Sequence, residues 1–227
     1  QATPDTSELP VYEYFHAWQG EGCHLGKNAF FVRLHGCPVH CPWCDSAGTW
    51  HPAHVPADIP QLSVATLTEA ARASGAPIVI LTGGEPTIHD LHALTQSLRA
   101  SELAVHVETC GGFPIQGTLD WITLSPKTRK PPIAENLQAC HEFKIVVNTP
   151  ASIDFWEQKL SHHYPSKPIW LQPEWTQRQN EDILQAINRA IKERPFDYRA
   201  GYQLHKLYRI DEADPRSRPT VPIPRTH

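Results

Sequence analysis

Several features that indicate other classes of protein are missing from this sequence of 227 residues. It carries 20 Lys and Arg against 24 Asp and Glu, so it has no chain-wide basic field to bind a nucleic-acid backbone. No apolar run approaches the length of a membrane span, and residues 1–10 are polar, unlike a secretory signal. Methionine is absent, and we expect only that the numbering starts after the initiator residue. We therefore expect a globular protein without a nucleic-acid or membrane partner.

Cysteine is scarce as well, with 6 residues in the chain, too few for a disulfide scaffold. Any meaning of these cysteines must therefore lie in their spacing. The length is typical of one compact domain. We predict a single domain over residues 1–227, with its core at about 12–206 and a proline-rich tail at 211–227.

Apolar runs alternate with helical patterns along the chain. We predict strands at Ala29–Leu34, Pro77–Thr82, Ala104–Thr109, Trp121–Leu124, Glu142–Val147, Pro168–Gln172 and Arg199–Gln203. We predict helices at Leu67–Ser74, Asp90–Ser101, Ser152–Leu160 and Asn180–Glu193. Thr66 and Glu69 form a capping-box pattern at the start of the first helix. This alternation indicates an α/β fold with a mostly parallel sheet.

Polar motifs follow several of the predicted strands. Cys37–Ser46 follows the first strand, Gly83–Pro86 the second, and Ser125–Lys127 the fourth, while Gln172–Glu174 ends the sixth. Functional sites of parallel α/β proteins gather at the carboxyl ends of their strands. The motifs are therefore expected to meet at one edge of the sheet.

Three cysteines lie within eight residues of a Gly- and Pro-containing loop, GCPVHCPWCDS, at Cys37, Cys41 and Cys44. Three thiolates in such a loop can converge on one soft metal centre. A structural zinc site needs a fourth ligand, which His40, His51 or Cys23 could supply. A [4Fe–4S] cluster held by three cysteines would keep one iron open to another ligand. Both centres are compatible with the spacing.

The C-x3-C-x2-C loop and the glycine-rich stretch Gly83–Pro86 resemble the two marks of the radical S-adenosylmethionine (SAM) enzymes. The resemblance implies that the three cysteines hold a [4Fe–4S] cluster whose open iron binds SAM. It also implies a partial, open (β/α) barrel with reduced helix content, which suits a chain shorter than a full barrel.

The surrounding motifs resemble one family within that superfamily, the 7-carboxy-7-deazaguanine synthases. The matches run in order from about residue 12 to 206. They are the Gln-Gly-Glu-Gly stretch at 19–22, Arg-Leu-x-Gly-Cys at 33–37, Thr-Gly-Gly-Glu-Pro at 82–86, Ser-Pro-Lys at 125–127, Leu-Gln-Pro at 171–173 and Gln-x-His-Lys at 203–206.

The family resemblance also implies roles for individual residues. The SAM site would be lined by Trp43, Asp45, Gly84, Ser125, Pro126, Lys127, Gln172 and Pro173. The pterin substrate would be held by Trp18, Gln19, Gly20, Arg33 and Thr82. Ser46, where the family usually has Thr, would bind a catalytic Mg²⁺. We leave the roles of His205 and Lys206 open.

The implied reaction converts 6-carboxy-5,6,7,8-tetrahydropterin to 7-carboxy-7-deazaguanine with loss of ammonia, in queuosine or other 7-deazapurine biosynthesis. The resemblance also implies an electron donor such as flavodoxin or ferredoxin, and a homodimer. Oxygen-sensitive iron–sulfur chemistry predicts the reducing cytoplasm.

Two alternatives share part of the pattern. Another radical SAM enzyme, such as a glycyl-radical activase, would have the cysteine loop and the glycine stretch. A non-enzymatic zinc-binding module would need only the thiols. Cys23, Cys110 and Cys140 match no motif and are expected to be small packed thiols.

Overall fold

The computed structural model describes residues 7–210, in which strands and helices alternate. The strands are β1 (Glu8–Trp18), β2 (Asn28–Leu34), β3 (Gln61–Ser63), β4 (Ile78–Gly83), β5 (Ala104–Thr109), β6 (Trp121–Leu124), β7 (Glu142–Val147), β8 (Ile169–Pro173) and β9 (Tyr198–Ala200). The α-helices are α1 (Val64–Ser74), α2 (His92–Ala100), α3 (Ala134–Ala139), α4 (Ala151–Leu160), α5 (Glu181–Glu193) and α6 (Leu204–Tyr208). The predicted tail at 211–227 lies outside the described residues.

All nine strands belong to one sheet, in the order β3-β1-β2-β4-β5-β6-β7-β8-β9. β2 and the strands from β4 to β9 are parallel, whereas β1 is antiparallel to both β2 and β3. In the described part of the chain, β3 and β9 end the sheet on opposite sides and do not pair, so the barrel does not close. The prediction of a partial, open barrel is confirmed.

The sheet has two chemically different faces because side chains alternate along each strand. One face is apolar and packs against the helices. Its fully buried side chains include Phe30, Leu81, Val107, Phe143 and Leu171. The intervening positions of the same strands carry polar groups that line a cavity, namely Arg33, Thr82, Glu108, Lys144 and Gln172. The apolar face stabilises the fold, and the polar face forms the interior of the open barrel.

Strand β1 was not predicted, because its apolar residues do not alternate with period two. A bulge shifts the pairing register between Val11 and Glu13, and Pro10 interrupts the run of strand-forming residues. Leu9 and Val11 are buried, so the packed part of the chain begins before residue 12.

The predicted capping box at Thr66 is wrong. Helix α1 starts at Val64, and the Oγ atom of Ser63 accepts a hydrogen bond from the backbone N–H of Thr66 at 3.1 Å. Glu69 instead pairs with Arg72 at 3.2 Å. Ser63 can cap because it ends β3 with an extended backbone, as an N-cap requires. Within residues 7–210, no helix is long and apolar enough to cross a membrane.

Candidate active site

A cavity of about 640 Å³ opens at the carboxyl ends of the parallel strands. The predicted meeting of the motifs at one sheet edge is confirmed there. The cavity is lined by sixteen of the predicted site residues: Trp18, Gln19, Gly20, Arg33, Cys37, Cys41, Trp43, Cys44, Asp45, Ser46, Thr82, Gly84, Ser125, Lys127, Gln172 and Pro173. Pro126 is buried but does not line the cavity.

The cysteine loop is attached to the glycine turn that follows β4. The backbone N–H of Glu85 donates to the carbonyl of Gly36 at 2.9 Å. A Cβ atom on Gly84 would lie 2.2 Å from that carbonyl oxygen and 2.7 Å from the Cβ of Cys37. The two loops therefore pack so closely at Gly84 that no side chain fits there.

Cys37, Cys41 and Cys44 are half-buried. Burial raises the pKa of the Cys44 thiol to about 11, and it also raises the pKa values of the Cys37 and Cys41 thiols. Free thiolates are therefore disfavoured here, and the positive charge of bound iron would stabilise them.

Across the described residues, no three Cys, His, Asp or Glu side chains are placed to bind a single metal ion. The three thiols nevertheless line one cavity. In a [4Fe–4S] cluster each cysteine binds a different iron, so the three cysteines need not converge on one metal ion. The donor set therefore fits a cluster better than a mononuclear zinc ion.

The predicted SAM residues Trp43, Ser125 and Lys127 form a local group beside the cysteine loop. The Nζ atom of Lys127 donates to the carbonyl and to the Oγ of Ser125, at 2.6 Å in each case. The same ammonium lies 5.4 Å from the ring centroid of Trp43. Burial lowers the pKa of Lys127.

Asp45 connects the cysteine loop to the C-terminal end of the described chain. Its Oδ2 atom accepts from Lys206 Nζ at 2.6 Å and from Gln203 Nε2 at 2.9 Å. Burial would raise the pKa of Asp45, but Lys206 and Gln203 outweigh it and hold the pKa well below its ordinary value. Asp45 therefore anchors α6 at the cavity, a contact that the sequence did not reveal.

Arg33, Glu13 and Thr82 lie side by side because the strand register pairs Arg33 with both of the others. The guanidinium donates from Nε to Glu13 at 2.6 Å and from its NH1 nitrogen to Ser46 Oγ at 3.0 Å. Arg33 is thus an ion-pair partner and a cavity residue at once. The predicted substrate residue and the predicted magnesium ligand are in direct contact.

Lys144 lies between two carboxylates on the polar face. Its Nζ atom donates to Glu21 and Glu108, and Gln19 Nε2 donates to Glu108 at 2.9 Å. Burial alone would lower the pKa of Lys144, but the two carboxylates raise it well above its ordinary value. Burial likewise opposes the charge on Glu21, and Lys144 and His205 outweigh it to lower that pKa. The ammonium is therefore fixed in its charged form.

Glu85, in the glycine turn after β4, has a structural role. It is 3% exposed and accepts from Thr109 Oγ1 at 2.6 Å, from Thr87 Oγ1 at 2.7 Å and from the backbone of Cys110 at 2.8 Å. These contacts join the ends of β4 and β5.

Cys23 lies at the opposite end of the barrel, where its backbone N–H donates to Glu142 at 2.8 Å. Glu142 begins β7, whereas the cysteine loop follows the end of β2. Cys110 and Cys140 are buried, as expected, although Cys110 also contributes to the cavity wall.

Sequence reasoning missed Glu21, Glu108 and Lys144 as cavity residues. Glu108 and Lys144 are charged residues inside the largely apolar strand sequences AVHVET and EFKIVV. A charged residue that interrupts a buried strand needs a partner, and this was the available signal.

The open barrel and the cysteine loop define a radical SAM iron–sulfur enzyme, and the family model of a 4Fe-4S single cluster domain matches residues 18–114. A 7-carboxy-7-deazaguanine synthase of Synechocystis sp. is 42% identical over 80% of this chain and 86% of its own length. One of Escherichia coli is 30% identical over 89% of this chain and 99% of its own. This chain belongs to the 7-carboxy-7-deazaguanine synthase family.

A solved structure agrees with this assignment. The crystal structure of QueE from Escherichia coli matches with a TM-score of 0.73 at 29% identity, and the match covers 87% of this chain and 95% of that one. The prediction of the radical SAM type of barrel is confirmed. The matches favour the synthase over the activase and over the zinc-binding module.

Proposed function

We propose that this chain converts 6-carboxy-5,6,7,8-tetrahydropterin to 7-carboxy-7-deazaguanine with release of ammonia. The observation that carries the proposal is the single cavity, in which the three cysteines, the expected SAM residues and the expected substrate residues lie together. When bound, a reduced cluster and SAM would supply the radical chemistry that removes a hydrogen atom from the substrate.

The chain's own residues bind and orient the reactants. Cys37, Cys41 and Cys44 hold the cluster. SAM is bound by Trp43, Asp45, Gly84, Ser125, Lys127, Gln172 and Pro173, while Pro126 lies buried between two of them in the chain. Positioning of this kind is a large part of what a protein adds to a cofactor's chemistry.

The substrate is bound on the polar face of the barrel. Arg33 lines the cavity and meets the substrate carboxylate, because a guanidinium binds carboxylates strongly. The same part of the cavity is lined by Trp18, Gln19, Gly20 and Thr82. Gly20 is in contact with His205, since a Cβ atom there would lie 2.3 Å from the imidazole Nδ1.

Ser46 Oγ is the proposed protein ligand of Mg²⁺. This buried hydroxyl accepts one hydrogen bond from Arg33 and keeps a second lone pair for the metal. Mg²⁺ usually keeps several waters and takes few protein ligands, which suits a single hydroxyl. Removal of Mg²⁺ is expected to lower the rate of product formation.

The proposed physiological setting follows from this chemistry. Cluster reduction requires an electron donor such as flavodoxin or ferredoxin, and the protein works as a homodimer in the reducing cytoplasm. Size-exclusion chromatography with light scattering tests the dimer. A monomeric mass at working concentration would contradict it.

An anaerobic product assay tests the function. The reconstituted enzyme is incubated with the carboxytetrahydropterin, SAM, reductant and Mg²⁺, and we expect 7-carboxy-7-deazaguanine by mass spectrometry. Cys41→Ala should abolish product, whereas Cys23→Ala should retain iron and activity, since Cys23 lies at the other end of the barrel. An iron-loaded enzyme that cleaves SAM without forming the deazapurine would overturn the proposal.

A further inference from the structure

One contact to the cysteine loop has no part in binding SAM or substrate. The indole Nε1 of Trp50 donates a hydrogen bond to Cys44 Sγ at 3.3 Å. The backbone N–H of Ser46 lies 3.4 Å from the same sulfur. Trp50 does not line the cavity, so the indole approaches Cys44 from outside the reaction space.

The indole is held in place from several directions. Its ring stacks on His40, with 4.4 Å between centroids and 15° between planes. Its backbone N–H donates to Ala47 at 3.1 Å. The preceding residue, Thr49, is fully buried, and its carbonyl accepts from Gly36 at 2.8 Å. The indole N–H is therefore held in a fixed position by the packing of the loop.

An N–H donor on a ligating sulfur affects the two oxidation states of a cluster unequally. Reduction adds one electron, and part of the added negative charge resides on the cysteine sulfurs. A hydrogen bond to such a sulfur stabilises the reduced state more than the oxidised state. The half-buried position of Cys44 strengthens this effect, because there is less water to screen it.

We infer that Trp50 is a positioning residue that raises the reduction potential of the cluster through its hydrogen bond to Cys44. The inference rests on the proposed cluster site. Its consequence is that the electron donor reduces the cluster more easily than it would without the indole N–H.

The test compares Trp50→Phe with Trp156→Phe in the reconstituted holoenzyme. Both variants lose an indole, but Trp156 lies buried on α4, away from the cysteine loop. A potentiometric titration followed by EPR should give a more negative midpoint potential for Trp50→Phe and an unchanged one for Trp156→Phe. A Trp50→Phe protein with full iron content and the unaltered potential would overturn the inference.

A second measurement covers the case in which Trp50→Phe does not load iron. In protein labelled with ¹⁵N on the indole, pulsed EPR should detect coupling between an indole nitrogen and the reduced cluster. The labelled Trp43→Phe variant lacks the other tryptophan of the loop and should keep that coupling. Loss of the coupling in Trp43→Phe would refute the role of Trp50. Iron content and the EPR signal of the unaltered protein test the cluster itself, so failure of the proposed function would be recognised separately.

Discussion

Lys144 organises the polar side of the cavity although it belongs to no motif. Its ammonium neutralises two carboxylates, and one of these, Glu108, accepts from the Gln19 amide. The side chain of Lys144 is 12% exposed, so little water can replace it. Buried charges are stable only when they are paired in this way.

Replacement of Lys144 by Met is expected to raise KM for the pterin and to lower kcat/KM at least about tenfold. Without the ammonium, two neighbouring carboxylates repel each other, so one takes up a proton and Gln19 loses its fixed acceptor. Steady-state kinetics over a range of pH measures the effect.

Lys159→Met on the exposed side of α4 is the matched control and should behave as the unaltered enzyme. If Lys144→Met loses stability but keeps its KM, the network has only a structural role.

His106 predicts a pH dependence of stability. It is 7% exposed and packs against His24, with 4.4 Å between the ring centroids. Burial, and to a smaller extent His24, lower its pKa to about 4 against the opposing charges of Asp120 and Glu142. The folded protein therefore keeps His106 neutral where the unfolded chain, with the ordinary value of 6.5, binds a proton.

The free energy of unfolding should therefore fall as the pH drops below the unfolded value. His106 accounts for a decrease of about 2 kcal/mol in the free energy of unfolding between about pH 7 and about pH 5. In His106→Gln, the difference between the free energies of unfolding at these two pH values, measured with denaturant, should be smaller by that amount. His92→Gln, at the exposed start of α2, should keep the full dependence, and an unchanged slope in His106→Gln would contradict the prediction.

At the scale of the elements, α5 shows where local sequence is decisive. Asn180 accepts from the backbone N–H groups of Asp182 at 3.1 Å and Ile183 at 3.4 Å, and so caps the helix. Glu181 and Asp182 place negative charge at the same end. The cap and the buried positions Ile183, Ile187 and Ala190 both indicate the same helix. This helix was predicted to within one residue.

Asn180→Ala is expected to lower the free energy of unfolding by about 1 kcal/mol, because two backbone donors lose their acceptor. Asn188→Ala on the exposed side of the same helix is the matched control and should be neutral or slightly stabilising, since Ala has the higher helix propensity. Urea unfolding followed by circular dichroism measures both. Equal effects at the two positions would show that helix propensity, not the cap, determines the difference.

Two of the elements that sequence missed, β1 and α6, depend on distant partners. The bulged strand β1 is defined by its pairing with β2 and β3. Helix α6 spans Leu204–Tyr208, too short to be stable alone, and is held through Lys206 to Asp45. Neither partner is visible in the local pattern.

At the scale of the whole molecule, the proposed iron site and the stabilising core are separate. The apolar core lies between the helices and one face of the sheet, and Cys37, Cys41 and Cys44 are not part of it. A variant with all three changed to Ala should therefore lose iron and activity and still unfold cooperatively with unchanged far-ultraviolet circular dichroism. Loss of the folded signal would show that the cluster is needed for folding.

The sequence by itself determined the α/β class, the parallel strands and the motifs that meet at their carboxyl ends, because strand periodicity and the cysteine spacing are local properties. Only the tertiary structure decided which charged groups share the cavity. Glu21 and Lys144 are 123 residues apart in the chain and touch because the open barrel brings β7 next to the loop after β1. It also decided that Glu85 joins two strands and that Trp50 reaches Cys44, since such contacts depend on the packing of loops.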